Sequence, residues 1–235
     1  MPQGALNLAG FDDDAAENIY ENRRRFLSLF EGDWTLAACW QVHGREVRVV
    51  KDAEDARTRP GMLGEAVYGD ALITNAPHIL LGVKTADCVP VIIGDARTGA
   101  CAAVHAGWRG TLAQVVRQAL TRMHEEYGTD APDVCAAIGP AARACCYEVG
   151  TEVIEAFRAS FTDADELLKG TREGHALVDI QRANRHQLLA AGVREERIHI
   201  APLCTMCRTD LFFSYRREKW LYGRVGRLLS VIGRN

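Results

Sequence analysis

Residues Lys84–Thr111, KTADCVPVIIGDARTGACAAVHAGWRGT, predict the central element of the structure. Two short apolar runs, Val89–Ile93 and Cys101–Val104, have the length and the β-branched or small residues that are typical of strands. The segment between them, GDARTG, contains the glycine and aspartate that a tight chain reversal requires. We therefore predict a β-hairpin.

The register of this hairpin brings two reactive side chains together. A two-residue loop, or a four-residue loop at Asp95–Thr98, sets Cys88 directly opposite His105 on the same face of the pair. The Cβ atoms of directly opposed residues are about 4.5–5.5 Å apart. At that separation the two side chains can share one metal ion or act as a thiol–imidazole pair.

The segment after His105 predicts an anion pocket. Apolar residues from Leu112 to Met123 recur with helical spacing, so we predict a helix over Leu112–Tyr127. The glycine-containing turn before this helix would place free backbone N–H groups and Arg109 at its start, where anions bind favourably. A steric role for the glycines is the alternative.

A third candidate ligand lies earlier in the chain. His43, in QVHG, follows a predicted strand, so that His43, Cys88 and His105 all lie near strand ends. Two histidines and one cysteine would leave an open position on zinc, as in catalytic zinc sites. The alternatives at this level are a structural cysteine, histidines satisfied by hydrogen bonds, and a metal-free Cys/His pair.

Two further cysteine pairs, Cys145-Cys146 and Cys204-x-x-Cys207, are weaker candidates. A structural zinc site needs a second ligand pair beside Cys204-x-x-Cys207, and no second C-x-x-C or H-x₃-H is present. A thioredoxin-like motif would open a helix, whereas we expect an extended aromatic segment after Cys207. We therefore interpret both pairs as core or pocket-lining thiols.

Composition limits the class of protein. The 235 residues, 48% of them hydrophobic and 25% charged, predict one domain over residues 1–235. A net charge of −3 argues against nucleic-acid binding, and the sequence has neither a membrane-length apolar run nor a signal-peptide pattern. We therefore expect a cytoplasmic protein that does not bind membranes, with its eight cysteines present as thiols or metal ligands. We expect a monomer or a weak homodimer.

Other periodicities complete the expected fold. Strands occur in runs as well as in alternation with helices, which favours the α+β class over a doubly wound sheet. The predicted helices are 12–30, 150–160 and 179–191, and the predicted strands outside the hairpin are 5–8, 34–40, 46–50, 70–74, 79–83, 134–138 and 197–200.

A series of motifs from Ala5 to Arg227 resembles one known family. In order they are ALNLAG, ENRRRF, QVHG, DALIT, TADCVPV, AVHAGWRGT, IGPA, CYEVG and CT…FFSYRRE…GR. They are similar to the YfiH-like family, once labelled multicopper polyphenol oxidase or laccase-domain protein and later purine nucleoside phosphorylase. The resemblance implies a four-layer α/β/β/α arrangement of mixed sheets, with zinc bound by His43, Cys88 and His105.

The resemblance also implies an activity. This is phosphorolysis of adenosine, inosine and methylthioadenosine to the base and ribose 1-phosphate, together with adenosine deamination. Beside zinc, we assign Asp70 and Asp87 as candidate proton donors and Arg109 as the phosphate ligand. Further candidate substrate contacts are Arg23, Arg45, Gln41, Asn7 and Tyr215.

Three other functions remain open, and two features depart from the family pattern. The first is a metal-free hydrolase in which His105 deprotonates Cys88, with Asp87 or Gln41 orienting the imidazole. The second is oxidase activity with one copper at the same site. A full laccase centre is excluded, because it needs many histidines in His-x-His pairs and the seven histidines here include no such pair. The third is a non-enzymatic binding protein. The chain begins at the ALNLAG segment, so part of the pocket or a dimer contact is expected to be absent, and CTMC carries an additional cysteine.

Overall fold

The structure is a computed structural model, and it describes residues 6–9, 13–56 and 68–235 of the chain. The helices are α1 Ala16–Leu27, α2 Ala53–Ala56, α3 Trp108–Leu112, α4 Val115–Tyr127, α5 Thr151–Ser160, α6 Ala164–Leu167, α7 Ile180–Ala190 and α8 Tyr215–Tyr222. The strands are β1 Thr35–Ala37, β2 Val47–Val49, β3 Ala71–Thr74, β4 Ile79–Thr85, β5 Val89–Asp95, β6 Cys101–Ala106, β7 Val134–Ile138, β8 Glu148–Gly150, β9 Leu168–Gly170, β10 His175–Val178, β11 Ile198–Ile200 and β12 Leu228–Ile232.

The strands of the described residues form three sheets. The largest has six strands in the order β11-β7-β5-β6-β3-β2, in which the four inner strands pair antiparallel and the two outer strands pair parallel with their neighbours. A second sheet has the order β1-β4-β12, and a small antiparallel sheet has the order β8-β10-β9. The mixed α+β class with stacked sheets is therefore confirmed.

The six-stranded sheet is buried on both faces, and because successive side chains of a strand point to opposite sides, each face has its own set of packing partners. On one face, Val91 and Val104 pack with the apolar side of α4, including Val116 and Met123. On the other face, Ala103 and residues of neighbouring strands pack against the β1-β4-β12 sheet. His105 and Cys88 occupy the alternating positions whose side chains point to this second face, so both are directed to the same side of the sheet.

The predicted hairpin is present, but its register was wrong by two residues. His105 pairs with Pro90, and the loop lies one residue later than predicted because Asp95 still pairs with Ala100. The Asp95 carboxylate accepts hydrogen bonds from the backbone N–H of Arg97 (2.8 Å) and from the side chain of the next residue (2.7 Å), which stabilises this later reversal. Cys88 is consequently diagonal to His105 rather than opposite it, on the same face as predicted.

The predicted helix Leu112–Tyr127 is divided into α3 and α4. Gln114 has a left-handed backbone conformation (φ 59°), which interrupts the helical ladder between them. The first turn therefore begins at Trp108, four residues before the predicted start.

Other elements also differ from prediction. The expected extended segment after Cys207 instead leads into α8, whose first turn is capped by the Ser214 hydroxyl. Strand β12 and the small sheet were not predicted. The predicted strand at 5–8 falls partly outside the described residues, and 6–8 are not in a strand. Among the described helices, none has both the length and the apolar content needed to span a bilayer.

Candidate metal centre

Three candidate ligands, His43, Cys88 and His105, converge at one end of the inner strands β5 and β6 of the six-stranded sheet. Their ligand atoms all lie within 4.8 Å of one another, and the two imidazole rings meet edge to face with centroids 4.8 Å apart. His105 is on β6, Cys88 directly precedes β5, and His43 lies in the loop before β2. His105 is buried and His43 is exposed, so the group is accessible from the His43 side.

The loop that carries His43 is held by a single buried carboxylate. Asp70, directly before β3, accepts hydrogen bonds from the backbone N–H groups of Val42 (3.3 Å), His43 (2.9 Å) and Gly44 (2.7 Å). Successive N–H groups that point to one anion form a concave anion-binding loop. This interaction stabilises His43 in its left-handed conformation, with φ 60°.

The same carboxylate orients His105. The Nδ1 atom of His105 lies 2.8 Å from Oδ1 of Asp70, and both side chains are buried. Burial would raise the pKa of Asp70, but the hydrogen bonds from His105 and from the backbone outweigh it and hold the pKa below its usual value. With the proton on Nδ1, the other ring nitrogen of His105 is available as a metal ligand.

Cys88 and His105 form a polarised pair. Burial would raise the pKa of the Cys88 thiol, but the neighbouring His105 and His43 rings outweigh it and lower that pKa to about 6. Burial would also lower the pKa of His105, whereas the Cys88 thiolate and Asp70 raise it to about 9. The centre therefore favours a thiolate, which is the form of cysteine that binds metal ions.

Close packing at this centre requires glycine at position 107. A Cβ atom added to Gly107 would lie 3.0 Å from Cδ2 of His43 and 3.1 Å from Sγ of Cys88. Gly110 is similarly restricted, because its added Cβ would lie 2.9 Å from the carbonyl oxygen of Gly44. The two glycines of HAGWRG are thus explained by the approach of the His43 loop.

The donor set fits a catalytic zinc site. Two imidazoles and one thiolate form a group of three ligands among the described residues, and the carboxylate behind His105 supplies the usual support of a metal-bound histidine. Three protein ligands leave a position for water or substrate on a tetrahedral ion.

Comparison with known proteins identifies the family. The family model described as multi-copper polyphenol oxidoreductase laccase matches residues 1–235. The chain belongs to this YfiH-like, laccase-domain family. A purine nucleoside phosphorylase from Bacteroides thetaiotaomicron is 39% identical over 97% of this chain and 84% of its own length. Adenosine deaminase RL5, from an unknown prokaryotic organism, is 40% identical over 90% of this chain and 81% of its own length.

Solved structures of the YfiH-like family have the same fold. The crystal structure of YlmD from Geobacillus stearothermophilus superposes with a TM-score of 0.90 and 33% identity, covering 100% of this chain and 87% of that one. The crystal structure of the YfiH protein of Bacillus licheniformis gives a TM-score of 0.91 with 29% identity, again covering 100% of this chain and 87% of that chain. The curated relatives are enzymes, and this YfiH-like chain is one as well.

Asp87, the other predicted proton donor, is bound on both oxygens by the C-terminal part of the chain. Its Oδ1 accepts from the Thr205 hydroxyl (2.7 Å), and its Oδ2 accepts from the Ser214 hydroxyl (3.1 Å) and the Arg216 backbone N–H (2.8 Å). Asp87 also has φ 88°, so these contacts stabilise an unusual backbone conformation directly before Cys88. Thr205 and Ser214 were not predicted as site residues, because hydroxyl residues so distant in the chain have no spacing that relates them to Asp87.

Two predicted substrate contacts make structural hydrogen bonds. The Gln41 side-chain amide both donates to the carbonyl (2.7 Å) and accepts from the N–H (2.8 Å) of Lys84, as a strand residue would. Asn7 is fully buried, donates to Asp14 (3.0 Å) and accepts from the backbone N–H of Arg227 (2.9 Å). Both residues connect segments of this YfiH-like chain.

The predicted arginines occupy three different environments. Arg109 is exposed, with its guanidinium 4.1 Å from the centre of the Trp108 ring. Arg45 is exposed at a cavity of about 380 Å³ beside α4. Arg23 is half-buried and its Nε donates to the Leu8 carbonyl (2.8 Å). The Tyr215 ring lies 5.7 Å from a guanidinium of the C-terminal segment.

Proposed function

We propose that this YfiH-like chain is a zinc-dependent purine nucleoside phosphorylase with adenosine deaminase activity. The observation that carries the proposal is the convergence of His43, Cys88 and His105 in front of the buried Asp70. Relatives named as purine nucleoside phosphorylase and adenosine deaminase support the choice of purine nucleosides and phosphate as substrates.

The protein groups of this centre would bind and orient the ion. His43, Cys88 and His105 would hold zinc, and Asp70 keeps the Nδ1 proton of His105 in place so that the opposite nitrogen is free. When bound, zinc supplies the Lewis acidity that activates water for hydrolysis at neutral pH. Deamination then converts adenosine and water to inosine and ammonia.

We assign positioning roles to both aspartates. The side chain of Asp70 acts only as an acceptor toward the His43 loop and the His105 ring, and these interactions favour the ionised carboxylate over a proton donor. Asp87 likewise accepts three hydrogen bonds, and it stabilises the turn that presents Cys88.

Arg109 is our candidate for binding phosphate in phosphorolysis, in which phosphate replaces the base at the anomeric carbon. It lies two residues after Gly107, which contacts the centre, and its guanidinium is exposed. We expect Arg109→Ala to raise the phosphate concentration needed for phosphorolysis at least tenfold while deamination is retained. Arg158→Ala, which removes an exposed arginine on α5, is the control. Equal losses in both reactions would contradict this assignment, and Arg45 and Arg23 would be the next candidates.

A product assay with adenosine, with and without phosphate, tests the main proposal. The expected products are adenine and ribose 1-phosphate when phosphate is present, and inosine in its absence. His105→Ala should abolish both reactions together with zinc at this centre, whereas His199→Ala, on the exposed strand β11, should change neither. Unchanged adenosine in the presence of stoichiometric zinc would refute the proposal.

A metal-free cysteine hydrolase is the second candidate, because Asp70, His105 and Cys88 have the order of an orienting group, a base and a nucleophile. Protein purified without added metal distinguishes the two. Zinc at the His/Cys centre with a protected Cys88 supports the metalloenzyme, and absence of zinc with rapid alkylation of Cys88 supports the hydrolase. One copper ion in the same donor set would account for oxidase activity.

A further inference from the structure

Four cysteines from two distant segments form a second cluster of possible metal ligands. The sulfur atoms of Cys145, Cys146, Cys204 and Cys207 all lie within 4.8 Å of one another. The distances from Cys207 are 3.0 Å to Cys146 and 3.6 Å to Cys145. We interpreted these pairs as core or pocket-lining thiols; Cys145 and Cys207 are exposed, so for these two residues the core alternative was wrong.

Sheet pairing explains why the two segments meet. Ala141, shortly after β7, forms a parallel bridge with Cys204, and the Thr205 N–H donates to the Ala141 carbonyl (3.1 Å). The Arg143 side chain also donates to the carbonyl of Pro202 (3.0 Å). The adjacent Cys145-Cys146 pair is therefore the second ligand pair that a Cys-x-x-Cys motif needs.

The dimensions suit one tetrahedral ion. Zinc–sulfur bonds of about 2.3 Å place the four sulfurs of a tetrahedral site about 3.8 Å apart. Two sulfur separations of the cluster, 3.0 and 3.6 Å, lie just below this value, and no pair is more than 4.8 Å apart.

We propose that Cys145, Cys146, Cys204 and Cys207 bind a single thiophilic metal ion, zinc(II) in the first instance, separate from the His43, Cys88 and His105 centre. Four thiolates complete the coordination of such an ion, so the site is structural. An all-sulfur donor set selects zinc, iron or copper(I) over magnesium or calcium.

This ion would support the catalytic centre indirectly. Thr205 lies within the Cys204-x-x-Cys207 turn and is fully buried, and its hydroxyl donates to Asp87, the residue before Cys88. A metal ion that rigidifies this turn would therefore help to hold Asp87 and, through it, the backbone at Cys88. The proposal itself depends only on the sulfur geometry and does not depend on the proposed activity.

Metal analysis of the whole purified chain tests the site. The wild-type protein should contain two zinc ions per chain. The double variant C145S/C207S should lose one ion, and it alters only exposed side chains, so that the fold is preserved. His105→Ala should retain one ion, held by the cysteine cluster. Cys135→Ser, which removes an exposed cysteine on β7 outside the cluster, is the matched control and should retain two.

Cobalt substitution adds a spectroscopic readout. His105→Ala loaded with cobalt(II) should show the intense thiolate-to-cobalt charge-transfer absorption of a tetrathiolate site, and C145S/C207S should lack that signal. Iron or copper in place of zinc, lost in the same double variant, would support the same site with another thiophilic ion.

Three results would overturn the proposal. The first is an unchanged metal content in C145S/C207S. The second is a single ion in the wild-type protein that His105→Ala abolishes. The third is a Cys146–Cys207 disulfide in protein purified under reducing conditions, seen as a mass two hydrogens lower and as two fewer titratable thiols. Circular dichroism of C145S/C207S, together with zinc retained at the His/Cys centre, verifies that the variant is folded.

Discussion

Replacing Asp70 with asparagine should weaken zinc binding while leaving side-chain size unchanged. The carboxylate accepts hydrogen bonds from His105 and His43 on Oδ1 and from Gly44 and Val42 on Oδ2. Asparagine has one acceptor oxygen, so its NH₂ group must face one of these two sets of donors. The buried site therefore cannot satisfy every donor in Asp70→Asn.

The magnitude depends on which way the amide turns. An NH₂ group facing Gly44 leaves the partly buried N–H of that residue without its acceptor, which costs about 1–3 kcal/mol. If the NH₂ group faces His105, the Nδ1 atom of His105 must accept a hydrogen bond from it. The ring proton then moves to the other nitrogen of His105, which is the atom that would bind zinc. Loss of such a supporting hydrogen bond lowers metal affinity roughly 10- to 100-fold. We expect that loss of zinc affinity, and zinc-free protein about 1–3 kcal/mol less stable.

Competition against a chromophoric chelator measures the zinc affinity, and urea unfolding of the zinc-free protein measures stability. Asp95→Asn is the matched control, because Asp95 is also buried and accepts three hydrogen bonds, at the hairpin loop away from the centre. It should lose stability and bind zinc normally. Equal zinc affinities in Asp70→Asn and Asp95→Asn would refute the assigned role of Asp70.

Three further predictions follow from the geometry of the centre. Gly107→Ala should lower zinc affinity at least tenfold in the chelator assay, because the added Cβ atom would lie 3.0 Å from His43 and 3.1 Å from Cys88. Gly150→Ala is the control and should not change zinc affinity, because a Cβ atom at that position has open space around it. Thr205→Val should destabilise the protein by about 1–3 kcal/mol in urea, because it removes the hydroxyl that donates to Oδ1 of the buried Asp87 carboxylate. An unchanged midpoint would contradict this. In zinc-free protein, the rate of Cys88 alkylation should increase as pH rises through about 6, because the lowered pKa of the thiol yields the reactive thiolate there, and added zinc should suppress the reaction. A midpoint near the ordinary thiol pKa of about 8.5 would show that the histidines do not stabilise the thiolate.

Acid titration gives the pH dependence of the Asp70 interactions. The pKa of Asp70 is lowered in the folded state, so its ionic hydrogen bonds stabilise the zinc-free protein above the unfolded value of about 3.9. That stabilisation is lost as pH falls through the lower folded-state pKa. Asp70→Asn should therefore flatten the dependence of unfolding free energy on pH below about 4, and an unchanged slope would contradict the interaction.

The central hairpin shows how far local patterns reach. Two apolar runs were sufficient to predict the strands and the shared face of Cys88 and His105, because side-chain direction alternates along a strand. The exact loop was not predictable, since a shift by two residues preserves this alternation. The hydrogen bonds of the Asp95 carboxylate in the folded hairpin determine which loop forms.

Long-range contacts account for what the sequence analysis missed at the site. The types of residue at positions 43, 88 and 105, together with the family resemblance, predicted the metal ligands, and the structure brings all three together. The partners of Asp87 come from segments more than a hundred residues later in the chain, and no local pattern relates them. The four-cysteine cluster was missed for the same reason, because its two pairs are brought together by long-range contacts such as the bridge between Ala141 and Cys204.

Local sequence patterns specify the α+β class, the strands around the hairpin and the side-chain chemistry of the candidate centre, because apolar periodicity and residue type act over a few neighbouring positions. Tertiary structure alone decided the register of the hairpin, the break at Gln114, the use of Asp70 as the support of His105 and the meeting of two cysteine pairs. These features depend on which distant segments share a buried face, where every polar group must find a partner that chain spacing does not specify.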